Sequence, residues 1–150
     1  PLLELDNGEL LAEGPAIVQY IADLKPEAGL APPAGTLARY RLQEWLGFIS
    51  SELHKAYSSL FDASYPSELK AAIRDKLATR LDRVAEKLHG RPWLLGEQFS
   101  VADGYLFTVL EWSRFVDIDL ARWPVLQAFV ERTRQRPAVR AALRAEGLLK

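Results

Sequence analysis

His54 stands in a stretch of small polar residues. At the α-helical advance of ~100° per residue, Gly47, Ser51, His54 and Ser58 fall within an arc of about 60°, opposite a stripe of Leu42, Ile49 and Leu53. An imidazole gives or takes a proton near neutral pH. Small neighbours leave room beside it for a ligand or a second backbone, and Lys55 on the edge is a cation suited to an anionic small molecule. A plain solvated face opposite an apolar stripe gives the same polarity, although such faces are commonly built from Lys and Glu, and the pattern leaves both readings open. Glu13-Gly14 directly before a helical segment is the second constellation. Free N–H groups at a helix start attract a carboxylate or phosphate, and a Glu side chain beside them attracts an amino group, so together they grip a zwitterion. The plainer alternative is that Gly14 caps the helix and Glu13 complements its dipole. His89, next to Gly90 at the end of a helical stripe, reads as a cation at a helix C-terminus.

Other chemistry has little to stand on. The chain has no cysteine, and two histidines far apart in sequence make a metal site an unsupported expectation. No phosphate-binding glycine loop, H-E-x-x-H or calcium loop occurs, and nothing local supports a Ser-His-Asp arrangement.

The elements that position these residues can be read from periodicity. Leu2 to Leu5 and Glu9 to Ala12 flank Asp6-Asn7-Gly8, a strong hairpin signal because Asn and Gly accept the positive φ of a tight turn. Gly14-Pro15 opens a helix with Ile17, Tyr20, Ile21 and Leu24 inward, ending before Pro26. A lone hairpin is marginal in water, so this β-β-α piece reads as part of a larger sheet. Pro26, Gly29, Pro32, Pro33 and Gly35 mark a linker. The rest reads as helical. One long helix runs from Thr36 to about Phe61, and a second begins with Ser67 as its N-cap and ends at His89-Gly90. A third, apolar nearly all round and so central, starts at the Ser100-x-x-Asp103 capping pattern and carries Tyr105, Trp112, Phe115 and Val116. Two shorter helices follow from Pro124 and Pro137.

Composition bounds the partners. With 150 residues, 49% hydrophobic and 26% charged, the chain is an ordinary globular one rather than disordered. A net charge of −1 lacks the electrostatic footprint of a nucleic-acid or anionic-membrane binder. No apolar run approaches a membrane span and no secretory signal opens the chain, so a cytoplasmic location is expected.

Several segments in order resemble one family. Pro1-Leu2-Leu3, the Asp-Asn-Gly hairpin, Glu13-Gly14-Pro15-Ala16-Ile17-Val18-Gln19-Tyr20-Ile21, Glu52-Leu53-His54-Lys55, the stretch Arg91-Pro92-Trp93-Leu94-Leu95-Gly96 through Asp103, and Arg136-Pro137-Ala138-Val139 are similar to bacterial beta-class glutathione S-transferases. The resemblance implies a mainly α fold. Residues 1–25 would be the β-β-α end of a thioredoxin-like glutathione-binding domain, 26–35 a linker, and 36–150 the all-helical C-terminal domain. It further implies that a β-α-β segment precedes Pro1 and carries a cysteine beside the glutathione sulfur. Under it, Glu13 and Gly14 hold the γ-glutamyl end of glutathione, with Gly14 replacing the family's frequent serine by a main-chain contact. Gly47 (commonly asparagine in the family), Ser51, His54 and Lys55 approach glutathione from the long helix, in some relatives across a homodimer interface. Asp103 becomes a capping residue of the fold, and Trp112 either lines a pocket for a small hydrophobic electrophile or belongs to the core. The implied activity is attack of the glutathione thiolate on an electrophilic carbon, with His54 as the catalytic group near the sulfur, or thiol–disulfide exchange through the preceding cysteine. A protein-binding module of the same fold without catalysis is the alternative.

Overall fold

The structure is a computed structural model that describes residues 1–149. Strands β1 (Leu2–Glu4) and β2 (Leu10–Ala12) pair antiparallel with Leu3 opposite Leu11. The expected turn closes them: Gly8 has φ 84°, its N–H donates to the Leu5 carbonyl at 2.8 Å, and Asn7 Oδ1 accepts from the Glu9 N–H at 3.0 Å. The strands are shorter than the sequence suggests because Leu5 and Glu9 belong to the turn. Helix α1 (Gly14–Asp23) follows and buries Ile17 and Ala22, leaving Tyr20, Ile21 and Leu24 on the exposed side. The inward stripe anticipated for this helix is therefore only partly inward, since a two-stranded sheet covers little of it.

The proline- and glycine-rich segment 26–35 is fastened rather than loose. Arg39, buried in the first turn of the next helix, donates to both Asp23 carboxylate oxygens and through Nε to the Pro32 carbonyl at 2.7 Å. This pairing holds the Asp23 carboxyl below its usual range. The Val101 N–H donates to Leu30 at 2.9 Å, tying this segment to the centre of the bundle as well.

The long helix is continuous but not uniform. Thr36 caps α2 (Leu37–Phe48) by accepting the Arg39 N–H. A π-helical segment, Ile49–His54, then carries the chain into α3 (Lys55–Phe61). Helix α4 (Ser67–Leu88) returns alongside. Ser67 is its first residue and Pro66 holds the cap position without a side-chain hydrogen bond, so the serine is not the N-cap that its type suggested. Helix α5 (Val101–Glu111) lies in the middle and buries Ala102, Asp103, Leu106, Phe107, Val109 and Leu110. It stops earlier than its apolar pattern implied: Trp112–Phe115 form a 3₁₀ turn, and Phe115 is 61% exposed rather than buried. Helices α6 (Pro124–Arg134) and α7 (Pro137–Ala145) begin at the prolines that marked them.

The start of α5 holds the densest polar arrangement of the core. Asp103 has no exposed surface, and its Oδ1 accepts the Leu94 N–H at 2.8 Å. Its Oδ2 accepts the Ser100 N–H at 2.8 Å and the Ser100 hydroxyl at 2.7 Å. Burial pushes the carboxyl above its ordinary value, and the donors around it pull the other way. The Ser100–Asp103 pair thus fixes where α5 begins and so which side chains it presents toward His54.

Candidate functional site

Glu13 and His54 both lie near Tyr105 of α5. Glu13 is the residue before α1 and has φ 72° and ψ 116°, a left-handed backbone that a side chain with a Cβ adopts only at a cost of about 1–3 kcal/mol. The strain is not repaid by capping, because the carboxylate makes no hydrogen bond to the helix start. The Glu13 carbonyl accepts the N–H groups of Ala16 and Ile17, at 3.0 and 2.9 Å, and Pro15 has no N–H. Among the described residues, the Gly14 N–H is left without an acceptor. The helix start accordingly offers one free N–H and one free carboxylate, a donor and an acceptor of opposite charge preference.

On the long helix, the π segment decides what faces α5. A π turn advances only about 80–90° per residue, so over three steps it lags an α-helix by roughly 30–60°. Ser51 and His54, close together on an ideal wheel, diverge: Ser51 is exposed, while His54 is half-buried against α5. His54 Nδ1 lies 2.7 Å from the Tyr105 hydroxyl oxygen, and the imidazole stands edge-on to Trp112 with ring centres 4.8 Å apart. Burial lowers the pKa of His54 below its ordinary value. Tyr105 is pushed up by burial, drawn down by a hydrogen bond with the Ser50 side chain, and pushed up again by the nearby Glu13 carboxylate. Glu13, Ser50, His54, Tyr105 and Trp112 therefore cluster at the junction of the β-β-α piece and the helical bundle.

The remaining residues singled out from the sequence fall at different distances from this centre. Lys55 and Gly47 are exposed, and a Cβ at Gly47 would meet nothing within 4 Å, so no close approach of backbone requires a glycine there. Gly14 is equally permissive: a Cβ would meet only Pro1 Cγ at 3.9 Å. Trp112 is half-buried and central to an aromatic run, edge-on to Tyr57 and Phe61 as well as His54. It also lines a largely apolar cavity of about 320 Å³ with Phe107, Phe115, Val139, Leu143 and Leu148. His89 is exposed at the C-cap of α4, where its type placed it. Sequence reasoning missed Tyr105 and Ser50. Tyr105 was hidden among the apolar residues of α5. The signal available was its spacing of seven from Trp112, which puts both on one face of the helix.

Comparison with known proteins assigns this arrangement to a family. Residues 48–137 match the family described as "Glutathione S-transferase, C-terminal domain". The chain belongs to the glutathione S-transferase family. Glutathione S-transferase GstA of Escherichia coli O157:H7 is 44% identical over 148 residues, covering 99% of this chain and 74% of that protein. The solved ternary complex of BphK, a bacterial glutathione S-transferase, is 58% identical with a TM-score of 0.97, covering 99% of this chain and 74% of that one. The beta-class glutathione S-transferase of Sphingomonas chungbukensis is 48% identical with a TM-score of 0.95 and the same coverage. The mainly α fold inferred from the sequence and its resemblance to bacterial beta-class glutathione S-transferases are thus both borne out. Among the described residues no His, Asp and Glu side chains gather as a metal site would require, and no helix is long and apolar enough to cross a membrane.

Proposed function

We propose that this glutathione transferase binds glutathione across the α1–α5 junction and directs its thiolate onto small hydrophobic electrophiles. The observation that carries the reading is the convergence, in a member of this family, of a strained, uncapped Glu13 and His54 near Tyr105 of α5. The α-ammonium of the γ-glutamyl end pairs with the Glu13 carboxylate and its α-carboxylate takes the Gly14 N–H, aided by the α1 dipole. His54 stands beside the sulfur as its hydrogen-bonding partner, and burial, which lowers the pKa of the ring, favours the uncharged imidazole there. In the reaction the S–H proton passes to solvent, the sulfur lone pair forms a C–S bond at the electrophilic carbon, and the leaving group departs with its electron pair. The aromatic wall of Trp112 and Phe61 suits an apolar electrophile. Ser51, Lys55 and Gly47, all exposed on the long helix, fit contacts made at the rim or across a homodimer, and the site fits a cytoplasmic enzyme.

Titration calorimetry of glutathione into the complete protein, together with steady-state turnover of an activated aryl halide, tests this reading. Binding in the micromolar-to-millimolar range and turnover reduced about tenfold in His54→Ala are expected, that factor matching the loss of one hydrogen bond in the transition state. Absence of glutathione binding would leave the non-catalytic, protein-binding reading in its place. A second, smaller effect is expected at Gly14. The open space there admits a serine, so Gly14→Ser should tighten glutathione binding by about two- to tenfold through an added hydroxyl donor. Unchanged affinity would mean that the bound carboxylate lies elsewhere.

A further inference from the structure

We infer that Tyr105 is a positioning residue that fixes the tautomer of His54, keeping the ring proton on Nε2 and aiming it at the thiolate. The inference rests on the functional reading above. Three observations support it. The Tyr105 hydroxyl oxygen is 2.7 Å from His54 Nδ1, so that nitrogen is fully engaged by α5. The other ring nitrogen, Nε2, has no hydrogen-bond partner among the described residues and is not among their buried unsatisfied atoms, so it is accessible to a ligand. Finally, Tyr105 is itself approached by the Ser50 side chain from the same π segment that carries His54.

These contacts form a directed chain. The Tyr105 hydroxyl donates to Nδ1, Ser50 lies beside the Tyr105 oxygen, and Nε2 keeps its proton as the outward donor. A phenol is a better donor than acceptor, so the short contact favours this tautomer over the reverse, in which Nδ1–H donates to Tyr105 and Nε2 is a bare acceptor. With Nε2–H outward, His54 stabilises a sulfur anion by donating to it. The thiol proton is then lost to solvent rather than stored on the ring, and no proton is left unaccounted for. The geometry holding Nδ1 comes from two elements at once. The π turn rotates His54 onto α5, and the Ser100–Asp103 cap sets the phase at which α5 presents Tyr105. The edge-on Trp112 holds the imidazole plane from the other side.

The test is nitrogen–proton correlation NMR of the ring nitrogens of His54 in the complete protein, free of glutathione, for the wild type, Tyr105→Phe and Ser50→Ala. The wild type should show the protonated-Nε2 tautomer. Tyr105→Phe keeps the ring and its packing but removes the donor, so the spectrum should move to a mixture of the two tautomers, with Ser50→Ala shifted part of the way. In turnover assays Tyr105→Phe should lower kcat about tenfold while the glutathione KM changes less than twofold. A His54 tautomer unchanged in Tyr105→Phe would overturn the inference, as would a wild type protonated on Nδ1. A raised KM with unchanged kcat would also overturn it, by making Tyr105 a glutathione contact. Failure of the functional reading is separable: His54→Ala would then retain full turnover whatever the ring spectra of the other variants show.

Discussion

Asp103→Ala should cost roughly 3–5 kcal/mol of stability, the largest effect expected from any single change discussed. The carboxylate accepts from two backbone N–H groups and a hydroxyl in a place without solvent. Removing it strands the Leu94 and Ser100 N–H groups, at about 1–3 kcal/mol for each buried donor left unsatisfied. For a chain of this size that is a fall in melting temperature of roughly 10 °C or more. Asp103→Asn keeps one acceptor oxygen and should fall between the two. A thermal melt of the three proteins settles the matter, and a Asp103→Ala variant within about 1 kcal/mol of wild type would mean that water or a local shift replaces the lost acceptor. The cap also sets the phase of α5, so surviving Asp103→Ala protein should show weakened His54–Tyr105 contact as well as lower stability.

Glu13→Ala should weaken glutathione binding roughly thirtyfold, the equivalent of about 2 kcal/mol for a charge-assisted hydrogen bond. The fold should barely respond, since the carboxylate makes no capping bond and the residue is exposed. Glu13→Gln removes the charge and keeps the shape, so an intermediate loss is expected if the partner is an ammonium. Calorimetric titration with glutathione reads all three. Glu13→Gly provides a check on the strained backbone: with φ at 72°, glycine relieves strain, so this variant should melt higher than Glu13→Ala while binding as poorly. Wild-type affinity in Glu13→Ala would remove Glu13 from the binding site.

Much of this was legible in the chain. Prolines and glycines punctuate it at the hairpin, the segment 26–35 and the starts of α1, α6 and α7, because each makes a backbone conformation that other residues resist. The Ser100–Asp103 cap is a local rule that the tertiary structure simply completes with the Leu94 N–H. Glu13 and His54 stood out because their types did not suit their surroundings. What could not be read was the phase of the long helix. Periodicity assumes an even turn, and nothing in Ile49-Ser50-Ser51-Glu52-Leu53-His54 announces a wider one. That single irregularity separates Ser51 from His54 and substitutes Ser50 as the neighbour of Tyr105. Tyr105 escaped for a different reason, since an aromatic residue on an apolar helix is indistinguishable from core until its hydroxyl finds a partner.

The wider turn between Phe48 and Lys55 also gives the chain a way to vary by length rather than by side chain. A π turn accommodates one residue more than an α turn over nearly the same rise, so the surplus is absorbed on the spot. The helices on either side, with Leu42, Leu46, Tyr57 and Leu60 in the core, keep their packing. Deleting one residue within 49–54 should therefore return the segment to an α turn and exchange which side chain meets α5 while the flanking helices keep their packing. Descendants of this gene have at that point a route to a different active-site residue that no point substitution supplies.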